Sequence, residues 1–477
     1  MVLDRKARIQ RTRQGPVSTV GGKGKAEALR SASVSSTHTY NPLHAHDPVI
    51  YDLVEKERRR QQNTLQLIAA ENRCSAAVRA ALGSVVQDKT TEGFVGHRYH
   101  GGCEVVDRIE TVAVERALQT FRARYANVQP HSGTTANHIV FNAVLQPGDR
   151  ILSLGLDQGG HVSHGAQVSA THTVYDIAQY RVDRQTLLLD YDAIEAQALK
   201  CQPKLIICGA TAYSRTIDFA RFRRIAERVD AYLLADISHI AGLVIAGLHP
   251  SPINEAHFTT TSTYKPGGPR GGLILMGRDY EHPVRAGKTQ RPLWEHLNKT
   301  TFPGVQGTPQ LNNIAAKAVF FLETLTGAYK ARQLAIRENA AALAGCLMDR
   351  GFDVLTGGTD NHMILLDVTQ FRVTQFERGL TGAVSQRCLE ACGIIVNMNR
   401  LPYDRKGQSV TSGIRLGTPI VTHSGMQVAH MAEIADLLAS VLTQVKAVSD
   451  TSYHLEDRFV ETTRDSVRGL CRRFPIA

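Results

Sequence analysis

Apolar residues keep two rhythms along most of this chain. Phe219, Phe222, Ile225, Ala226 and Val229 recur at three- and four-residue spacing, the period of a helix with one buried face. Residues 109–121 read the same way. Between such stretches lie short runs at 150–155, 204–210, 231–236, 258–262 and 272–276, bounded by turn residues. The apolar runs suit strands covered on both faces, and 258–262 is β-branched and polar. Strand, helix, strand at this rhythm predicts crossover units and a largely parallel sheet in an α/β fold. Ligands of such sheets sit beyond the carboxyl ends of the strands. Asp236 ends one predicted strand and Lys265 another.

A connecting helix over 312–326 leads to a second, smaller unit. There the pattern predicts a helix over 334–350 and strands near 352–355 and 362–367. A helix over 382–391 and a strand-like run at 393–397 follow. Ser424 and Gln427 have the spacing of a capping box for a helix striped by Val428, Met431, Ile434, Leu438 and Val441. At the other end, Asp47-Pro48 is an N-cap followed by a first-turn proline. The helix it opens carries Ile50, Leu53 and Val54, then a charged face at 55–60, and suits an arm that packs on another subunit. Four regions result: a flexible basic extension over 1–46, an arm helix over 47–72, a large α/β domain over 73–325 and a smaller C-terminal domain over 326–477.

A chain of 477 residues exceeds a single small core. The most apolar region, 231–247, is interrupted by Asp236, Ser238 and His239, so no membrane span is expected. Eight scattered cysteines, with Cys388 and Cys392 lacking a second pair, fit reduced thiols in the cytoplasm and no metal site. The net charge of +11 lies partly in the first forty-odd residues, which are poor in acids and large apolar side chains. That composition also fits a transit peptide, but apolar periodicity over residues 1–25 is poor, and a flexible tail is the better reading. With no basic and aromatic cluster on a folded stretch, a nucleic-acid partner is not expected.

The chemistry centres on Lys265, which follows the run 258–262 and precedes Pro266, Gly267, Gly268 and Pro269. A lysine held at a strand end, out of bulk water, loses its proton more readily and attacks carbonyl carbon. A solvated surface lysine is the bland alternative, and the rest of the chain argues against it. Ser132, Gly133 and Thr134 open a helix after a Gln-Pro turn, a composition that cradles phosphate. Asp236, a carboxylate at the end of a buried strand, calls for a cationic partner such as a pyridinium nitrogen. Gly159 and Gly160 set His161 on a turn suited to stacking on a flat ring, and His239 lies three residues past Asp236. Together these describe a site for pyridoxal phosphate.

The chain resembles the serine hydroxymethyltransferase family from about residue 47 to the C-terminus. The likeness rests on LIAAEN (67–72), EGFVGHRYHGGCEVVD (92–107), ANVQPHSGTTAN (126–137), GGHVSHG (159–165), LADISHIAGLV (234–244), FPGVQGTP (302–309), GGTDNHM (357–363) and TSGIRLGTP (411–419). It implies a fold-type-I architecture like that of aspartate aminotransferase, with a large, mostly parallel sheet domain and a smaller C-terminal α+β domain. It implies a homodimer with shared active sites, alone or paired into tetramers, and tetrahydrofolate as one-carbon carrier. By this resemblance Lys265 matches the lysine that binds the cofactor covalently, Asp236 the ring-nitrogen partner and His161 the stacking histidine. His239 lies by the ring hydroxyl. Ser132, Gly133 and Thr134, with Thr211 and Thr263, match cofactor contacts, and Gly307 a phosphate contact from the neighbouring subunit. Arg415 matches the clamp on the amino-acid carboxylate, and Glu92 the acid/base glutamate reaching across from the neighbour. Leu156, Gly160, Val162, Asn399 and Lys406 match folate-facing positions.

Several positions depart from the family pattern, and they surround the amino-acid side of the cofactor. Ala70 replaces a serine, Thr90 a tyrosine, His100 the second tyrosine of a pair whose first is Tyr99, and Tyr264 the histidine before the lysine. The loop after Lys265 is one residue shorter, and Val305 and Thr308 are altered. This clustering suggests a hydroxymethyltransferase whose amino acid differs from glycine or serine; alanine, giving α-methylserine, is a candidate. His100 either shares the proton transfers of Glu92 or fills space through a hydrogen bond. The alternative enzymatic reading is a threonine-type aldolase or transaldolase that does not use folate. A non-enzymatic relative would have lost Lys265 or Arg415, and both are present.

Overall fold

The computed structural model describes residues 41–286, 289–370 and 379–476. Most of the expected basic extension therefore lies outside the described residues. Helical structure begins before Asp47, because Asn41-Pro42 repeats the cap-and-proline signal. The Asn41 side chain accepts from the Leu43 and His44 amides and starts the turn Pro42–His46. Asp47 then accepts from the Ile50 amide at 3.1 Å at the start of helix α1 (Pro48–Gln62), on which Val49, Ile50, Leu53 and Val54 are exposed.

Seven strands form the main sheet: β1 (Tyr125–Asn127), β2 (Arg150–Leu154), β3 (Asp176–Tyr180), β4 (Leu205–Cys208), β5 (Tyr232–Asp236), β6 (Phe258–Ser262) and β7 (Gly272–Met276). Their spatial order is β1-β7-β6-β5-β4-β2-β3, and β7 alone runs against the others. Alternate strand residues enter separate cores. Leu152, Ile206, Leu233 and Leu273 join one with helices α2 (Glu104–Phe121), α4 (Phe219–Arg228) and α5 (Leu311–Thr324). Ile151, Ile207, Leu234 and Ile274 join the other with helix α3 (Gly133–Val144). This two-residue alternation is why the central strands read as continuously apolar.

Asp236 pairs in register with Thr260 of the adjacent strand β6, so the turn after Ser262 emerges beside the Asp236 end of β5. The chain passes from β2 outward to β3 and returns to β4 on the other side of β2. That reversal is the switch point at which open α/β sheets form ligand crevices. The segments after Leu154 and Cys208, carrying Leu156, Gly160, His161 and Thr211, emerge there.

A second sheet has order β8-β9-β11-β10, from Asp353–Val354, Met363–Asp367, Gly413–Gly417 and Asn397–Asn399 respectively, all antiparallel. It packs with helices α6 (Gly327–Asp349), α7 (Gly382–Ala391), α8 (Met431–Gln444) and α9 (Asp457–Arg473) around Leu347, Ile364, Leu366, Leu389, Leu416 and Leu438. Two local expectations need correction. The run at 393–397 divides, its first part (Ile394–Ile395) pairing with Leu65–Gln66 and its second joining β10. The Ser424/Gln427 box does not form: the Ser424 hydroxyl donates back to the Val421 carbonyl. Gln427 instead caps the turn Val428–His430 in reciprocal bonding with His430, and α8 begins only at Met431.

Candidate active site

The Asp236 carboxylate is enclosed by donors. Oδ1 accepts from the Ser238 amide at 3.0 Å, and Oδ2 from Asn137 Nδ2 at 2.9 Å, with His164 Nε2 at 3.1 Å. Burial pushes this carboxyl up, but the hydrogen bond and charge of His164, aided by Asn137, outweigh it and hold the group well below the usual carboxylate range. Asn137 also donates to Ser163 Oγ at 3.0 Å and accepts from Thr260 Oγ1 at 2.6 Å, joining α3, β5, β6 and the turn Val162–His164. The Ser163 amide donates to His161 Nδ1 at 3.2 Å, which leaves the His161 proton on Nε2. Burial, then the neighbouring His164, push His161 down to about 4, so the ring is neutral at pH 7. Asn137 and His164 carried no role in the sequence reading, although both lie inside the motifs quoted for it.

Lys265 lies in the turn three residues beyond β6, rather than at the strand's last position, because the strand ladder stops at Ser262. Its Nζ donates to Ser262 Oγ at 3.1 Å and lies 4.8 Å from the centre of the Tyr264 ring. Arg270 stacks on the same ring, 4.7 Å from its centre. The Thr263 hydroxyl is turned into this loop and donates to the Pro269 carbonyl at 2.6 Å. Ser132 caps α3 by accepting from the Thr135 amide at 3.0 Å. The amides of Gly133 and Thr134, in the first turn, have no intrahelical acceptor. Gly133 lies against β6, where an added Cβ would come within 3.3 Å of the Ser262 nitrogen.

Arg415, on β11, is buried and donates to the Thr211 carbonyl at 2.7 Å and to Asn397 Oδ1 at 3.2 Å. Burial lowers it to about 10, which leaves it charged at neutral pH. Segment 67–73, which holds Ala70, is strung between this strand and the Lys265 turn. The Leu67 carbonyl accepts from Gly417 at 2.8 Å, and Asn72 Nδ2 donates to the Lys265 carbonyl at 3.0 Å. His362 bonds the Ala69 carbonyl at 3.1 Å and stacks on His239, with centroids 5.8 Å apart and planes 15° from parallel. His239 is pushed well below its ordinary value by burial and then by the charges of Lys265 and Arg415, and its Nδ1 is buried without a partner.

Other expected residues form separate groups. Glu92, whose amide donates to His100 Nδ1 at 3.4 Å, lies beside Gly307, where an added Cβ would be 3.9 Å from Glu92 Oε1. Tyr99 is 75% exposed and touches the Phe302 ring, with centroids 5.5 Å apart. Thr90 and His100 are also exposed. Among the described residues, no hydrogen bond, ion pair or ring contact joins Glu92, Tyr99, His100 or Gly307 to Lys265, Asp236, His161 or Arg415. Leu156, Gly160 and Asn399 line one cavity of about 270 Å³ with Thr211 and Gln408. Gly160 is required there, since a Cβ would fall 2.1 Å from the Leu154 carbonyl oxygen. Val162 and Lys406 do not line this cavity, and Lys406 instead pairs with Asp450 at 3.3 Å. A larger cavity of about 610 Å³, lined by Leu187, Phe352, Asp353 and Leu401, contains none of the expected site residues.

The residues present fit pyridoxal phosphate. An ionised strand-end carboxylate suits a protonated ring nitrogen, the orphaned His239 Nδ1 suits a ring hydroxyl, and the free amides at the start of α3 suit the phosphate. Fold and site together define a pyridoxal-phosphate enzyme of fold type I. Within that class, residues 43–438 match the family model described as serine hydroxymethyltransferase, and the chain belongs to that family. It is therefore a pyridoxal-phosphate-dependent transferase of hydroxymethyl groups, from a family that uses tetrahydrofolate as cosubstrate. None of its described helices is long and apolar enough to cross a membrane.

Proposed function

We propose that this enzyme transfers a hydroxymethyl group between tetrahydrofolate and an α-substituted amino acid, interconverting alanine and α-methylserine, as a cytoplasmic homodimer with shared active sites. The observation that carries the substrate reading is the position of Ala70 between the strand of Arg415 and the turn of Lys265. A methyl group there, where the family pattern has a hydroxyl, removes a polar group and leaves room beside the amino acid's Cα.

When bound, the cofactor supplies an electron sink for bond making and breaking at the amino-acid Cα. Lys265 would hold the cofactor through Nζ, the position at which the substrate amine would also bind. Ser132 and the amides of Gly133 and Thr134 hold the phosphate, with Gly307 reaching it from the neighbouring subunit. Asp236, kept ionised by His164 and Asn137, holds the ring nitrogen protonated. His161, fixed with its proton on Nε2, packs against the ring. Arg415 clamps the substrate carboxylate, its guanidinium already aimed by the Thr211 carbonyl and Asn397. Glu92 of the neighbouring subunit takes the proton of the substrate hydroxyl, and His100 beside it shares that work. The cavity of Leu156, Gly160 and Asn399 receives the folate.

Turnover of glycine and of alanine with a formaldehyde–tetrahydrofolate source tests the substrate. Alanine is expected to be the better acceptor, and equal or faster turnover of glycine overturns the altered-substrate reading. Turnover unaffected by removing tetrahydrofolate, with a larger aldehyde accepted in its place, overturns the folate reading.

A further inference from the structure

Lys317, on α5, is 1% exposed, and no carboxylate among the described residues lies within ion-pair distance of it. Its Nζ instead donates to three backbone carbonyls: Val128 at 2.6 Å, Gly272 at 2.8 Å and Pro130 at 3.2 Å. Three acceptors match the three hydrogens of an ammonium, whereas a neutral amine has only two. Yet a buried cation without a counter-charge is costly. Burial lowers Lys317 to about 7, against the charge of Glu110 of α2, which raises it, and Lys317 in turn helps to lower nearby His131. Glu110 is engaged elsewhere by Arg98 and by Gln129 Nε2.

The three carbonyls belong to the backbone behind the anion cradle. Val128 and Pro130 immediately precede His131, Ser132 and Gly133. Gly272 donates its amide to the Pro130 carbonyl at 2.9 Å and lies so near Ser132 that a Cβ would fall 2.1 Å from the Ser132 carbonyl oxygen. We propose that Lys317 is a buried positioning cation for the phosphate end of the cofactor: an anion held by Ser132, Gly133 and Thr134 draws a proton from solvent onto Lys317, and the ammonium fixes the carbonyls that shape the cradle. This rests on the cofactor reading above and adds to it a coupled proton.

Sulfate tests the coupling without the cofactor's own titrations, because its charge is constant between pH 7 and 9, a range in which the lowered His131 is already neutral. Sulfate binding to the cofactor-free full-length chain is measured by equilibrium dialysis, with pyridoxal phosphate as competitor, for wild type and Lys317→Met. Wild-type affinity is expected to fall by up to about tenfold per pH unit above pH 7 and the variant's to stay flat. Parallel pH profiles for the two proteins overturn the proposal. Calorimetry of the wild type in buffers of different ionisation enthalpy needs no variant: proton uptake near pH 7.5 is expected, and none overturns the proposal. Failure of pyridoxal phosphate to displace sulfate overturns the cradle assignment itself, and with it the coupling.

Discussion

Asn137→Ala isolates the polar network that keeps Asp236 ionised. The amide makes three hydrogen bonds at 1% exposure: to Asp236 Oδ2 (2.9 Å), to Ser163 Oγ (3.0 Å) and from Thr260 Oγ1 (2.6 Å). The first is to a charged acceptor and contributes about 1.5–3 kcal/mol, the other two about 1 kcal/mol each. The three bonds together come to about 3.5–5 kcal/mol, the loss expected of the folded state at the least, since the substitution also leaves the fully buried Thr260 hydroxyl without its acceptor. Losing one donor moves the Asp236 carboxyl upward, which weakens its hold on a protonated ring nitrogen. If the cofactor feels only the charged bond, its dissociation constant rises about 10- to 150-fold. Absorbance titration of pyridoxal phosphate onto the cofactor-free variant measures this, and thermal unfolding measures the stability. A dissociation constant within about threefold of wild type, with an unchanged unfolding midpoint, would refute the reasoning from this network.

Acid should destabilise the fold before the carboxylates titrate. Burial pushes His161, His362 and His423 down to about 4, so between that value and the ordinary 6.5 the unfolded chain binds protons that the native chain does not. Their stabilisation is complete above pH 6.5 and is lost as pH falls through 4; the unfolding midpoint should drop over that window, less steeply in His362→Asn, and a flat profile counts against it. Borohydride reduction should fix the pyridoxyl label on Lys265 of the wild type, and a peptide map with the label on another lysine would displace the cofactor assignment. Lys265→Ala and Glu92→Gln should each be inactive alone. Mixed together and allowed to exchange subunits, they should recover about a quarter of wild-type activity if each site draws Glu92 from the neighbour, and none if it acts within its own chain.

The fold was legible where side-chain periodicity was long enough to register. Strand β7 is read over its full length, and β2, β4 and β5 to within two residues at either end, because both faces of each are buried. Strand β1 escapes notice because three residues cannot show a period. Strand β3 lies at the sheet's edge, where Asp176 and Gln179 face solvent and mask it. In the site, Lys265, Asp236 and His161 stand out because each has an uncommon chemical demand at a strand end or glycine turn. Asn137 and His164 do not, since their importance lies in a hydrogen bond to a residue 99 and 72 positions away, which leaves no local mark. Thr263, matched to a cofactor contact by the resemblance, donates its hydroxyl to the Pro269 carbonyl of its own loop. Lys317 carries no signal along the chain, and the convergence of three carbonyls on its Nζ is what distinguishes it.

The departures from the family pattern divide into two groups once placed on the fold. Ala70 and Tyr264 border the backbone that links Arg415 to Lys265, and both Lys265 and Arg270 lie against the Tyr264 ring. Thr90, Tyr99 and His100 are exposed and lie on the same stretch as half-buried Glu92, and the altered Val305 and Thr308 flank Gly307 beside Glu92. Under the shared-site proposal these two groups would lie on either side of one amino acid, the first toward the Cα held by Arg415 and the second toward its hydroxymethyl group. Enlarging room at Cα shifts the whole substrate relative to Glu92, so the acid/base side must be rebuilt in step. Under the proposed alanine reading, changes are expected on both sides, whereas a change of aldehyde alone would leave the Ala70 side as the family has it.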